Sequence, residues 1–313
     1  MQTPLSRHLQ RIEVALANGQ AARSAIAASW ARSAHLHGLD PTRRHAVPRL
    51  TQAELAEARD RLGPLPLLAA PHLDRLFQIV GGLGACVVLA DAEGVALDRR
   101  GNPGDDRDFA DSGLWTGANW SEAELGTNGI GTCLAEGRAV TIHRDQHFLA
   151  HNTGLSCSSA PVHDAQGRLV AVIDVSTARA DLPEAVASLI AHTVGDTARK
   201  METDLFRDHF PRARMVLVPG LDQGQGAVLA VDADDLVIGA TRAARTHLGL
   251  RGDLSAMPRP LADLVQLEAH ERLEDAERAV LNRAMARASG NVSAAARALG
   301  LSRATMHRKL GRT

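Results

Sequence analysis

His143, His147 and His151 recur every four residues, and Cys157 follows six positions later. On a helix from Thr141 to His151 the three imidazoles would share a face and could hold a metal ion, with Cys157 as a further ligand. The stretch AVTIH (139–143) reads instead as a strand, which breaks that register. The histidines then read as solvated or capping groups, and no metal site is assigned. Cys86, Cys133 and Cys157 are widely spaced and odd in number, which favours reduced, buried thiols over a disulfide framework. Redox sensing by any of them would require a lowered thiol pKa and exposure. No nucleophile–base pair, paired carboxylates at helical spacing or metal-hydrolase motif stands out, and no catalytic residue is assigned. The only two lysines, Lys200 and Lys309, follow Arg199 and Arg308 rather than glycine. A phosphate-cradling P-loop needs Gly directly before its Lys, so the chain contains no such loop.

The densest chemistry lies at the end. Residues 290–313 hold five Arg or Lys and no Asp or Glu, in a chain of formal charge −1. Asn291 is placed to cap a short helix, Val292 to Leu299, and Ser302 to cap a second, Arg303 to Leu310. Gly300 between them suits positive φ in a tight turn. Ala296, four residues before that glycine, allows two helix backbones to approach, and Leu299, Leu301, Met306 and Leu310 can close a small core. This is a helix-turn-helix pattern. It leaves Ser302, Arg303, Thr305, His307, Arg308 and Lys309 as the DNA-binding set. Arg308 and Lys309 are assigned to phosphate; Arg303, Thr305 and His307 are assigned to base edges in the major groove. The competing reading is a solvated basic amphipathic terminus. The preceding segment HERLEDAERAVLNRAMARASG carries Leu273, Ala276, Val280, Leu281, Ala284 and Ala288 at helical spacing, with acids leading and arginines trailing, as a helix dipole favours.

These motifs need elements to position them. A length of 313 residues suggests two or three domains, and 45% hydrophobic residues suffice for packed cores. No apolar run is long enough to cross a bilayer, and the start lacks a signal-peptide pattern; a cytoplasmic protein away from membranes is expected. Residues 1–79 read as mostly helical, with Ile12, Leu16 and Ile26 in alanine-rich stretches and a Thr51–Glu54 capping signal. Pro64, Pro66 and Pro71 are expected to break the pattern before a helix from His72 to Val80. ACVVLADAEGVALDRRGN reads as strand, turn, strand, followed by a Gly- and Asp-rich loop from Gly101 to Gly113. CSSAPVHDAQGRLVAVIDVS is a second hairpin, and Pro183 opens a long helix. GAVLAVDADDLVIGATRAARTHLGL reads as strand, acidic turn, strand, helix, and Pro258 and Pro260 mark a linker. The expected class is α+β: N-terminal helices, an antiparallel sheet with flanking helices, a small strand–helix piece and an all-α tail. A pocket is expected between sheet and loops, with Trp115 to Thr132 as its lid and Trp115, Trp120, Thr127, Asn128 and Thr132 as ligand contacts. The alternative is that Gly126, Asn128, Gly129 and Gly131 merely fix the loop by turn and cap chemistry, and that the tryptophans are core.

GNVSAAARALGLSRATMHRKL (290–310) resembles the Fis-type helix-turn-helix. SWARSAHLHGLDP (29–41), ELGTNGIGTCLAEGRAVTIHRDQHF (124–148) and LSCSSAPVHDAQGRLVAVIDVS (155–176) resemble the acetoin-catabolism type of bacterial transcriptional regulator. The resemblance implies a GAF-like sensory domain, a partial PAS-like segment after it, and pairing of the helix before the helix-turn-helix into a homodimer. The implied boundaries are a helical region at 1–71, the GAF-like domain at 72–208, the PAS-like segment at 209–256, a linker at 257–270 and the Fis-type DNA-binding and dimerisation domain at 271–313. Members place an AAA+ ATPase that drives sigma-54 polymerase between sensor and tail. Here the linker stands in its place, in keeping with the missing P-loop. The implied function is DNA-binding regulation by an unidentified small-molecule effector, without ATP-driven promoter opening. Its partners would be double-stranded DNA, a second copy and, where it activates, RNA polymerase. No cofactor is assigned. Two alternatives are a GAF-type thiol enzyme that reduces methionine sulfoxide and a Fis-like architectural DNA-binding protein.

Overall fold

Five antiparallel strands organise the larger part of the chain. In the computed structural model, which describes residues 3–18, 24–44, 47–179, 182–219, 226–265 and 273–311, they are β1 (Ala85–Asp91), β2 (Ala96–Arg100), β3 (Val140–His143), β4 (Ser156–His163) and β5 (Leu169–Thr177), in the order β2-β1-β5-β4-β3. Both expected hairpins form, with one turn chemistry. Asp91 Oδ1 accepts from the backbone N–H groups of Glu93 and Val95, and Asp164 Oδ1 from those of Gln166 and Arg168. Gly94 (φ +88°) and Gly167 (φ +82°) take the left-handed position that ends each turn.

Cross-strand register sorts the side chains into two faces. Cys86 pairs with Ser176 and Ser176 with Cys157; one step along, Val88, Asp174 and Ser159 align in the same way. These rows, with Ala90 and Val172, look toward α1 (Pro4–Ala17), α2 (Ala25–Ala31) and the segment from Phe109 to Leu155. Val87, Leu89, Ala160, Val162, Ile173 and Val175 point the other way. They meet α4 (Leu65–Val80) and α8 (Glu184–His209), which contribute Leu73, Leu76, Ile190, Val194 and Met201. Between α2 and α4 lies α3 (Gln52–Arg61), whose Thr51–Glu54 capping box forms as expected and whose Leu55 and Ala58 pack on Val95 and Leu97.

Three local expectations are corrected. Helix α4 begins at Leu65, not His72, because Pro66 falls in the first turn, where its missing N–H has no helical partner to lose. Pro71 sits inside the helix at an exposed position, where the carbonyl it leaves unpaired can turn to water. The Gly101–Gly113 loop contains a short helix, α5 (Asp106–Asp111), with Asp106 and Asp108 in its first turn and Phe109 buried as its anchor. The Trp115–Thr132 segment is likewise partly helical: α6 (Glu122–Leu125) and α7 (Gly129–Glu136).

After α8 a second antiparallel sheet places β6 (Arg214–Leu217), β7 (Val228–Val231) and β8 (Leu236–Ala240) in order, followed by α9 (Arg242–Leu248), capped by Thr241. Asp232 repeats the aspartate turn, accepting from the N–H groups of Asp234 and Leu236. Strand β6 carried no clear sequence signal. All of this belongs to one compact unit, residues 1–259; residues 260–313 form another. The second unit holds α10 (Leu261–Val265), α11 (Leu273–Arg287), α12 (Val292–Ala298) and α13 (Arg303–Leu310). Residues 266–272 and 312–313, which include the end of the expected linker and the start of the expected tail domain, lie outside the described residues. Among the described residues no helix is long and apolar enough to cross a membrane.

Candidate functional site

In the tail, each small sequence signal becomes a contact. Asn291 Oδ1 accepts from Ala294 N at 3.1 Å and Ser302 Oγ from Thr305 N at 3.0 Å, so both short helices are capped by side chains. Gly300 adopts φ +65°, and the N–H of Leu301 bonds back to Ala296 O at 2.8 Å across the turn. Leu281 and Ala284 of α11, Ala295 and Ala296 of α12 and Met306 of α13 are buried together, flanked by Leu299, Leu301 and Leu310. The three helices therefore share one core, small but closed by methyl-sized side chains where backbones approach.

This packing fixes what α13 presents. Arg303, Ala304, His307 and Arg308 are exposed and share one helix face. Thr305 is half-buried, and its hydroxyl lies 2.8 Å from Ser302 Oγ. Lys309 forms an ion pair with Glu277 of α11. Of the six residues singled out from sequence, three thus lie on the open face, two make the N-cap and one is held by a carboxylate. Ala304, a methyl on the open face that can meet a thymine methyl, was missed because alanine carries no charge or polar signal. On α11, Leu273 and Val280 are exposed and lie on the same side as exposed Ala276.

In the first unit Thr127 and Thr132 of the lid gather around an ion pair whose carboxylate is buried and whose guanidinium is partly exposed. Arg32 forks onto Glu122, with Nε donating to Oε2 at 2.7 Å and Nη2 to Oε1 at 2.9 Å, and its Nη1 reaches Glu136 at 3.0 Å. The hydrogen bond to Glu122 raises the Arg32 pKa further above its ordinary value, opposed by burial. Ser29 Oγ donates its one proton to Glu122 Oε1 at 2.5 Å and so accepts from the hydroxyls of Thr127 at 2.7 Å and Thr132 at 3.2 Å. Asn128 caps α7: its Oδ1 accepts from Gly131 N, while its Nδ2 donates to Gly126 O. A Cβ on Gly131 would stand 2.5 Å from Glu122 N, and one on Gly129 would stand 2.6 Å from Cys157 Cβ, so these glycines serve close approach. Trp120 is buried and donates to Gly113 O, whereas Trp115 is half-buried beneath the guanidinium of Arg99, 4.3 Å from its ring, and near that of Arg49. Ser29 and Arg32 were missed as partners of the lid, about ninety positions away in sequence, although both sit in the SWARSAHLHGLDP phrase.

Beneath α7 lies a buried polar row. His147 Nδ1 donates to Arg144 O at 2.9 Å, which leaves Nε2 to accept the Cys157 thiol proton at 3.3 Å. Asp174 accepts from Ser159 at 2.5 Å and Ser176 at 2.6 Å. Burial pushes Asp174 up to about 6 and His147 down to about 4. Burial also pushes Cys86 up to about 12 and raises Cys133 and Cys157. His143 bonds to Ser156 on the neighbouring strand, so the three histidines do not converge, and no metal-holding cluster occurs among the described residues.

A cleft of about 1130 Å³ opens beside α5, lined by Arg44, Arg49, Asp108, Asp111, Ser112 and His151 among others. None of the five lid residues lines this cleft; Trp115 is linked to it through Arg49, whose guanidinium carbon lies 5.7 Å from the Trp115 ring centroid.

The family described as the MimR N-terminal domain matches residues 7–200, and the bacterial regulatory protein Fis family matches residues 272–312. The acetoin catabolism regulatory protein of Cupriavidus necator is 34% identical over 234 residues, 74% of this chain and 35% of its own length. The propane 2-monooxygenase operon transcriptional activator MimR of Mycolicibacterium smegmatis is 31% identical over 226 residues, 68% of this chain and 36% of its own. The chain thus spans about a third of the length of these curated relatives. Among solved structures, a chain of the Escherichia coli DhaR(N)–DhaL complex aligns with a TM-score of 0.54 at 18% identity, over 77% of this chain and 81% of that one, a likeness of fold.

Proposed function

The chain belongs to the MimR N-terminal-domain family, with a Fis-type tail, and from that premise we propose that it is a homodimeric transcription regulator whose first unit senses a small molecule and whose tail reads double-stranded DNA. The observation that carries the reading is the capped α12–α13 pair, which turns Arg303, Ala304, His307 and Arg308 outward from a shared core. A helix with such a face fits the major groove. Arg308, with Lys309 once released from Glu277, serves phosphate; Arg303 and His307 serve base edges, and Ser302 and Thr305 set the angle of entry. Leu273, Ala276 and Val280 form the seam between two copies of α11. Two tails then meet half-sites about 34 Å apart.

The cleft beside α5 is the effector site in this reading, with Arg49 at its wall backed by Trp115, and Trp120, Thr127, Asn128 and Thr132 holding the neighbouring loop. The chain has no P-loop to support the ATP-driven step on sigma-54 polymerase that the resemblance implies, so the modes of action in this reading are repression, direct recruitment of RNA polymerase, or antagonism of a full-length relative, in the cytoplasm. The thiol-enzyme alternative loses support because all three thiols are buried with raised pKa values, whereas a nucleophilic thiolate needs the reverse.

The test is retention of labelled genomic fragments under competition from random DNA. A regulator resists that competition by a large factor and an architectural binder does not. Arg308→Ala should weaken all sequences alike and flatten the salt dependence by about one unit per contact, whereas Arg303→Ala should relax sequence preference. Unchanged binding in Arg308→Ala, or turnover of methionine sulfoxide with a dithiol, would overturn the proposal.

A further inference from the structure

A second cleft, of about 540 Å³, lies within the first unit where α8, the end of β4 and α9 meet. Its floor is built from small residues: Ala160 and Pro161 on β4, Gly195 and Ala198 on α8, Ala243 on α9. The spacing explains the opening. Residues 195, 198, 199 and 202 lie on one face of α8, and residues 242, 243, 246 and 247 on one face of α9. On both faces the inner positions are Gly or Ala, so the two helices meet without filling the space between them. The volume falls within the range of small-molecule sites.

The walls are cationic. Arg138, Arg199 and Arg242 line the cleft together with His163 and His247, against one carboxylate, Glu202. That carboxylate is already engaged: the backbone N–H of His163 donates to its Oε1 at 2.9 Å, and His163 Nδ1 lies 2.6 Å from the same atom. Arg138 is shared with Glu136 at 3.4 Å, and Arg199 is paired with Asp196. Among the described residues, Arg242 and His247 have no acidic partner. Like charges drawn to one concavity cost free energy unless something negative is placed among them, and the small floor leaves room for it.

We propose that this cleft binds a small dianion, whose negative groups are gripped by the guanidinium forks of Arg242 and Arg138 over the Gly195–Ala198 floor, so that the ligand ties α9 to α8. Guanidinium groups meet phosphoryl and carboxylate oxygens in the same two-bond geometry, so the shared chemistry is a compact group or short chain bearing two negative charges. The site is separate from the cleft beside α5 and does not rest on the assignment of that cleft to the effector. It gives the small sheet and α9 a signal of their own.

The experiment titrates the full chain with glycerol phosphate, inorganic phosphate, succinate and acetate, reading thermal unfolding and heat of binding. Glycerol phosphate or succinate should raise Tm saturably, and acetate should not. Binding should weaken at least about tenfold in Arg242→Gln, since a hydrogen bond to a charged group is worth about 1.5–3 kcal/mol. Gly195→Leu fills the floor without changing charge and should weaken binding as well, which separates a shaped site from diffuse attraction. The circular dichroism spectrum of each unliganded variant confirms that it folds; Arg242 is exposed, so its replacement leaves the core untouched. A response to the phosphates alone assigns a phosphoryl ligand, a response to succinate alone assigns a dicarboxylate, and a response to both assigns recognition by charge; each supports the site. No saturable response to any dianion, or an equal response in Arg242→Gln, overturns it.

Discussion

Glu277→Gln should tighten DNA binding at an unchanged salt dependence, although the residue lies on α11 rather than on the reading helix. Lys309 is paired with Glu277, with side chains 27% and 50% exposed. An ion pair as open as this is worth about 0.2–1 kcal/mol, which must be given up before the ammonium can turn to a phosphate. Removing the carboxylate returns that amount, a gain of about 1.4- to 5-fold in affinity per protomer. Each phosphate contact contributes about 0.9 to the slope of log K against log salt, or about 1.8 for a dimer, so Glu277→Gln keeps the wild-type slope whereas Lys309→Gln flattens it, and doubling the salt costs the lysine variant about 3.5-fold less than the wild type. Fluorescence anisotropy on a labelled duplex across about 50–200 mM salt reads both quantities for the wild type, Glu277→Gln, Lys309→Gln and the double variant. The reasoning requires that Glu277→Gln have no effect once Lys309 is gone. Equal tightening in the Lys309→Gln background would refute it, because the carboxylate would then act by long-range repulsion of DNA. An unchanged slope in Lys309→Gln would show that Lys309 does not reach phosphate.

Leu273→Glu or Val280→Glu should leave the tail folded, since neither side chain belongs to its core, but should shift the protein toward monomer in sedimentation and abolish tight DNA binding. Glu122→Gln should destabilise the first unit by about 2–3 kcal/mol in denaturant unfolding, less than a fully buried broken pair because Arg32 is partly exposed. Asp174, pushed up to about 6, contributes stability that is complete below its unfolded pKa of about 3.9 and is lost as pH rises through 6, so Asp174→Asn should gain on the wild type by about 2–3 kcal/mol between pH 4 and 6. His147, pushed down to about 4, contributes stability that is complete above about 6.5 and is lost as pH falls, so His147→Gln should gain on the wild type in the opposite direction over the same range; parallel pH profiles for all three proteins would contradict both assignments.

The tail was legible because its signals are local. A cap, a left-handed glycine and four apolar positions within about twenty residues determine the geometry of α12 and α13, and no distant residue is needed to interpret them. The aspartate turns were legible for the same reason. Helix α4 was misread at its start because Pro66 and Pro71 signal a break wherever they occur, and only position within the first turn removes the penalty at Pro66. The ion pair of Arg32 with Glu122 was invisible because sequence spacing does not reveal which helix will cover which loop. The histidine series shows the converse: a four-residue repeat looks like one helix face until β3 ends at His143 and the turn Arg144–Gln146 carries His147 into the interior.

The two faces of the main sheet differ in a way that bears on how a signal could be carried. Toward α4 and α8 the contacts are aliphatic, and any rearrangement there must open close-packed apolar volume. Toward α6 and α7 the sheet presents Cys157, Asp174 and Ser159, and the covering helices are held by hydroxyl bonds centred on Ser29 and Thr132. Each such bond contributes only about 1 kcal/mol net, and each hydroxyl can exchange one acceptor for another by rotation. Leu125, Ile130 and Cys133 also anchor α6 and α7 in the apolar cluster on that face, so a ligand that repositioned these helices would need a differential affinity larger than the hydroxyl bonds alone. The Arg32–Glu122 pair ties this face to the N-terminal helices, so a ligand that shifted α6 would also pull on α2. The apolar face remains the fixed frame against which that displacement is transmitted.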